Sequence, residues 1–212
     1  AYYTFDEGAG AVVGDSSGNG NNGAVVGTPQ WVAGKVGGAM MFSGFENYVD
    51  CGNDASLVLR DTVTVACWIK VDAFVNGWET IMSMGDDSYR MARTNTGNAI
   101  HFGANGTDTG GNLDGTTIVT INTWRHVALV YDGANKYVYI DGFEDARMPT
   151  TGQINASGYN LFIGENDQAT GRFLNGAVDD LRIYGRGLSP EEVAGLAGLE
   201  DEVSHQDGRG VA

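Results

Sequence analysis

At 212 residues the chain has the length of one large all-β domain, and its 33 glycines, three prolines and 10% aromatic residues suit many short strands joined by tight turns. Twelve Lys and Arg against 27 Asp and Glu give a formal charge of −15, a field that repels nucleic acid and anionic membranes and attracts cations. No run approaches the roughly 18–20 apolar residues of a membrane span, and no signal peptide is present, so neither a nucleic-acid partner nor membrane insertion is expected.

In chain order, short apolar and alternating runs predict strands at 2–5, 39–43, 48–51, 62–71, 80–83, 89–92, 99–102, 124–131, 136–140, 160–164 and 176–184. The start at Ala1 rather than Met is read as the loss of a leader or an upstream domain, and the acidic charge suits an extracellular protein. After the first strand comes Asp15-Ser16-Ser17-Gly18-Asn19-Gly20-Asn21-Asn22-Gly23, with no apolar side chain. Asp15, Ser17 and Asn19 place oxygens at positions 1, 3 and 5, and Gly20 stands at position 6, as in the front half of a calcium loop. Position 12, where such a loop needs a bidentate Glu, is Val26. A second carboxylate must therefore come from elsewhere. The same residues also make ordinary solvated turns.

Cys51 and Cys67 each lie in an apolar run, as a disulfide or, the preferred reading, as two buried thiols. Asp132–Asn135 is a hairpin turn, and Asp141-Gly142 turns the next corner. Ser189-Pro190-Glu191-Glu192 carries an N-cap, a first-turn proline and a capping box, which predict one short helix ending near Gly198. Residues 1–197 are read as one domain and 198–212 as a tail or linker. Many strands with one terminal helix predict an antiparallel two-sheet sandwich. The turn-rich segments 104–117 and 164–172 fall on its rim.

A family resemblance rests on several pieces. They are Tyr2-Tyr3-Thr4-Phe5-Asp6-Glu7-Gly8, the Asp15 loop, Ala39–Gly44, Tyr48–Asn53, Val63–Lys70, Trp124–Ala128, Tyr137–Gly142, Gly176–Tyr184 and Leu188–Val193. In this order they resemble the laminin-G-like, concanavalin A-like lectin/glucanase domains of bacterial secreted proteins. The resemblance implies a two-sheet jelly roll with a calcium ion near one rim, and pairing of the first and last strands. It brings Asp179 or Asp180 toward the Asp15 loop, and alternation sends the two to opposite faces. By similarity to the family's Gly-x-Ile-Asp-Glu motif, Asp179 is favoured. The expected calcium set is thus Asp15, Ser17, Asn19, Asn22, Gly23 and Asp179.

The fold includes glucanases and lyases, but glycoside hydrolysis needs two carboxylates facing one bond, and no strand carries the glucanase pattern of alternating acids. Glu165-Asn166-Asp167, Asp86-Asp87 and Asp141–Asp145 read as turns. His126, in the Trp-x-His of its strand, reads as structural, hydrogen-bonded between layers. The expectation is a non-catalytic module that binds a polysaccharide or other glycan, within a larger parent protein. Exposed aromatics stack on sugar faces, and amides and carboxylates take the hydroxyls. Trp78 is the aromatic candidate, and Asn105, Asp108, Asn112 and Asp114 are the polar ones. Trp68 and Trp124 read as core, and Trp31 as a loop anchor. The alternatives are a structural or adhesion module with no glycan ligand, and a polysaccharide lyase or hydrolase.

Overall fold

The computed structural model describes residues 1–199, so most of the proposed tail lies outside the described residues. Two antiparallel sheets face each other. The first contains β1 (Tyr2–Tyr3), β4 (Gln30–Ala33), β5 (Gly38–Ser43), β7 (Val63–Val71), β12 (Arg125–Tyr131), β13 (Asn135–Ile140), β14 (Phe143–Pro149) and β16 (Asn175–Tyr184). Its order is β14-β13-β12-β7-β16-β5-β4, with β1 also on β16. The second contains β2 (Val12–Val13), β3 (Gly23–Val26), β6 (Tyr48–Asp50), β8 (Thr80–Ser83), β9 (Tyr89–Arg93), β10 (Ile100–Ala104), β11 (Asn112–Asp114) and β15 (Phe162–Ile163). Its order is β11-β10-β9-β8-β15-β6-β3-β2. This is the two-sheet sandwich that the strand pattern predicts and the jelly roll that the resemblance implies.

The core lies between the sheets and follows the period-two rule. In β7, Val63, Val65, Cys67, Ile69 and Val71 all enter it, with Phe42, Met91, Phe102, Leu129 and Val178 among their neighbours. The alternate residues Thr64, Ala66, Trp68 and Lys70 face outward. Part of that outer face is covered by α1 (Pro190–Leu196), whose Val193 packs with Ala66, Ala128, Val130, Tyr139 and Leu188. Ser189 Oγ accepts from Glu192 N at 3.3 Å and the Glu192 carboxylate accepts from Ser189 N at 2.9 Å, completing the capping box.

Several expectations change. Trp68 is not core: it lies outside the sheet, edge-on to His126, with Lys35 Nζ 4.8 Å from its ring. Trp124 is likewise half-buried, beneath Lys70 at 5.5 Å. Trp31 belongs to the edge strand β4, opposite Met40, instead of anchoring a loop. His126 Nδ1 is buried with no hydrogen-bond partner, so the ring is packed and not bonded between layers. The cysteines keep their preferred reading: Cys51 and Cys67 are both free and buried, and Cys67 Sγ lies 3.8 Å from Met91 Sδ.

Candidate functional site

The first and last strands do pair, with Tyr2 opposite Arg182 and Tyr3 opposite Leu181. The register between β16 and β7 then slips between Asp179 and Arg182, and Asp180 takes a left-handed φ of 53°. This bulge separates the two aspartates. Asp180 turns to the Tyr2 hydroxyl and, at 2.9 Å, to Arg182. Asp179 is fully buried, and its Oδ2 accepts the backbone N–H groups of Lys35 and Val36 at 2.7 and 2.8 Å. Its Oδ1 has no hydrogen-bond partner. Burial pushes the Asp179 pKa up to about 6, against those two N–H bonds, and the charges of Asp180 and Asp6 add to the rise. Asp6 takes Gly38 N at 2.6 Å, so both carboxylates are held by one turn, residues 34–38.

The Asp15 loop is built differently. Asp15 Oδ1 accepts N–H from Tyr2 and Ser17, each at 2.9 Å, and Oδ2 accepts from Asn21 at 3.0 Å. Burial works against the Asp15 charge, but these bonds outweigh it and hold the pKa below the usual carboxylate value. Asn22 Oδ1 accepts Asp15 N at 2.8 Å, Ser17 Oγ takes the Asn19 amide at 3.0 Å, and Gly23 opens β3. Donors converge on Asp15, whereas a calcium loop turns oxygens toward its centre. The loop is closed by its own anion. Asp15 and Asp179 share no partner, and no group of three or more His, Cys, Asp or Glu able to hold a metal forms among the described residues. Asp15, Ser17, Asn19, Asn22 and Gly23 share one loop, while Asp179 is held separately by the 34–38 turn. Asp179 Oδ1 is left buried and unpartnered, with the charge of Asp6 acting on it.

The polar ligand candidates divide as well. Trp78 and Asp114 line one open cavity with Thr94, Asn95, Thr116 and Ile118. Asn105 turns away, its Nδ2 donating to Asp86 O at 2.6 Å. Asp108 pairs with the Thr151 hydroxyl, and Asn112 is exposed on β11 opposite Gly103. Beside the cavity, the buried His101 links Trp78 to Asp114. The Trp78 and His101 rings meet edge to face at 4.9 Å, and His101 Nδ1 lies 2.5 Å from Asp114 Oδ1. On the other side, Arg90 Nη2 lies 3.0 Å from His101 Nε2. Arginine only donates, so Nε2 accepts and Nδ1 carries the proton given to Asp114. Burial lowers the His101 pKa, opposed by Asp114 and assisted by Arg90, and the ring is neutral at pH 7.

Sequence reading missed Arg90 and the buried pair beneath Trp78. Gly103 is what lets Arg90 lie across β10: a Cβ there would meet Arg90 Cζ at 2.7 Å. Trp78 has φ of 58°, a left-handed conformation that a bulky residue rarely adopts. Its loop is held from below. Glu79 Oε1 accepts Val75 N at 2.6 Å and Asn76 N at 2.9 Å, Arg93 donates to Asn76 O, and Arg93 Nε lies 3.6 Å from Glu79 Oε2. The exposed half of Trp78 is thus fixed by a strained backbone and a buried ion pair. The only sequence signal for this was Glu79 itself, a charge directly before the strand Thr80–Ser83.

The family profile described as the concanavalin A-like lectin/glucanases superfamily matches residues 42–194. The chain belongs to this superfamily. Among solved structures, this lectin/glucanase-type domain is similar to domain 4 of an extracellular GH43 arabinanase from Geobacillus stearothermophilus, in complex with arabinotriose. The two share 23% identity over 93% of this chain and 97% of that one, with a TM-score of 0.72. It is also similar to the binding domain of Paraclostridial Mosquitocidal Protein 1, at 18% identity, 92% and 51% coverage and TM-score 0.71. The binding domain of botulinum neurotoxin serotype G gives 18%, 93% and 50%, and 0.71. The chain spans about half the length of these two toxin domains. At such identities the likeness is one of fold. No curated protein matches the sequence. No helix among the described residues is long and apolar enough to cross a membrane.

Proposed function

We propose that the chain is a non-catalytic, extracellular carbohydrate-binding module of a larger protein, and that its sugar site is the Trp78 cavity. The observation that carries this is the pairing of a half-exposed, rigidly held tryptophan with the exposed Asp114 carboxylate, next to the hydroxyls of Thr94 and Thr116 and the Asn95 amide. A sugar ring needs an apolar face to stack on and planar polar groups for its hydroxyls, and the cavity offers both. The arabinotriose complex of the similar arabinanase domain supports a glycan as ligand.

Binding without catalysis follows from the same groups. The cavity holds one carboxylate, Asp114, where glycoside hydrolysis needs two. His101 has spent both ring nitrogens, one on Asp114 and one on Arg90, and has none left to take a proton from a substrate. The proposed calcium ion is structural, and the unpartnered Asp179 Oδ1 supports a place for it beside the 34–38 turn.

A glycan array with and without calcium tests the reading. At least one glycan should bind, and Trp78→Ala should weaken it about tenfold, the loss of one good stacking contact. A folded protein that ignores the whole array supports a structural module instead. Reducing ends released from a bound polysaccharide would make it an enzyme.

A further inference from the structure

The outer face of the second sheet carries an aromatic pair that the core does not use. Val49 of β6 and Ile163 of β15 point into the sandwich, so alternation turns Tyr48, Asp50 and Phe162 to the outside. Phe162 and Asp50 are register partners, and Tyr48 is the diagonal neighbour of Phe162. The Tyr48 ring stacks on Phe162 with centroids 4.4 Å apart and planes 28° from parallel. Phe162 is only 7% exposed yet belongs to neither hydrophobic core cluster. Tyr48 is half-buried, and its hydroxyl has no hydrogen-bond partner among the described residues. A core would have no use for such a ring on this side of the sheet.

Polar groups surround the pair in a fixed arrangement. Asn160 Nδ2 donates to both oxygens of Asp50, at 3.1 and 3.2 Å, and Asn160 N donates to Asp167 Oδ2 at 2.8 Å. Tyr159, next to Asn160, is 38% exposed. The carboxylates of Asp50, Asp167 and Glu165 are all close enough to act on the Tyr48 phenol. An anionic sugar would meet the like charges of Asp50 and Asp167 here, with buried Glu165 behind them, while an uncharged or amine-bearing one would not be repelled.

We propose that Tyr48, backed by Phe162 and flanked by Asp50, Asn160 and Asp167, is a second sugar subsite, taking a neutral or amino sugar of the same glycan chain that Trp78 holds. This rests on the carbohydrate reading of the Trp78 cavity. His101 stands on β10, while Phe162 and Tyr48 stand three and four strands away on β15 and β6. The two subsites are thus about 14–19 Å apart across the sheet at the usual strand spacing. Several linked sugars cover that span and a disaccharide does not. Two subsites on one chain raise affinity through effective concentration, so the module should prefer long glycans.

Calorimetry with xylose, glucose and N-acetylglucosamine oligomers, fully deacetylated chitosan oligomers and oligoguluronate, each as dimer and hexamer, tests the proposal. For the best glycan, the hexamer should bind at least tenfold more tightly than the dimer, and oligoguluronate should bind least. Tyr48→Ala should weaken the hexamer about fivefold to tenfold and leave the dimer nearly unchanged, while Tyr48→Phe should bind as wild type does. Tyr48→Val, which suits a strand, replaces the Ala variant if that one melts early. Loss of hexamer affinity in Trp78→Ala but not in folded Tyr48→Ala or Tyr48→Val overturns the second subsite alone. Failure of wild-type protein to bind any of these neutral or amino sugars overturns the second subsite, while the glycan array decides the Trp78 reading. Preference for oligoguluronate overturns the assigned ligand class.

Discussion

His126 packs edge-on against Trp68 at 5.3 Å, and its Nδ1 is buried without a partner. Burial lowers its pKa to about 4, a shift that the charges of Asp141 and Asp180 only partly offset. The folded state thus keeps the ring neutral while the unfolded chain binds a proton near pH 6.5. Above that pH the two states bind equally, and as the pH falls toward 4 the unfolded state gains about 1.4 kcal/mol per unit. His126→Leu removes this titration. Urea unfolding between pH 7 and 4 should show the variant gaining on wild type by that slope, and parallel curves would exclude the assignment. The sequence showed the histidine inside a strand but not what surrounds it. Trp68 was legible in principle, since it falls on the even positions of β7, opposite the five core residues. Its size suggested burial, and two lysines over Trp68 and Trp124 instead supply partial cover from outside.

Central strands were legible because they alternate cleanly, whereas the edges were not. β14 is polar and mostly open, with Phe143 68% exposed, so no periodic signal marks it and its first residues read as part of the Asp141–Asp145 turn. β4 and the short β2, β3 and β11 were missed for the same reason: each buries little on at least one side. One rim segment gets its shape from a distant charge. Lys136 of β13 is fully buried, and its Nζ donates to Ala104 O, Thr107 Oγ1 and Gly111 O at 2.8–2.9 Å. Burial lowers its pKa to about 8. An ammonium thus gathers the oxygens of residues 104–111 as a cation would. Lys136→Met should destabilise the protein by about 2–4 kcal/mol, because the three acceptors lose their donor. Amide exchange should accelerate first in residues 104–111. Unchanged exchange there would show that the loop holds its shape without the lysine.

At the scale of the molecule, the fold was readable from composition, strand count and one capping signal, and most of the site was not. Pairing of the first and last strands was expected, but a bulge at Asp180 decided which carboxylate faces what, and its one mark is the three-residue step between the core positions Val178 and Leu181. The calcium account now concerns Asp179 and Asp6, which join the two ends of the chain across the 34–38 turn. An ion binding only the folded state at 100 times its dissociation constant adds about 2.7 kcal/mol. For a domain of this size that corresponds to a melting temperature about 2–4 °C higher. Asp179→Asn should abolish this calcium response and, by removing a buried charge, raise the melting temperature in EDTA. Asp15→Ala should lower stability but keep the response. The reverse pattern would restore the Asp15 loop as the site. The central claim, recognition of a sugar by Trp78, is tested most directly by following the four tryptophan indole N–H resonances during titration with the best-binding glycan. The account predicts a saturable shift of the Trp78 signal, with those of Trp31, Trp68 and Trp124 nearly still. Saturable binding that leaves the Trp78 signal unmoved would contradict it.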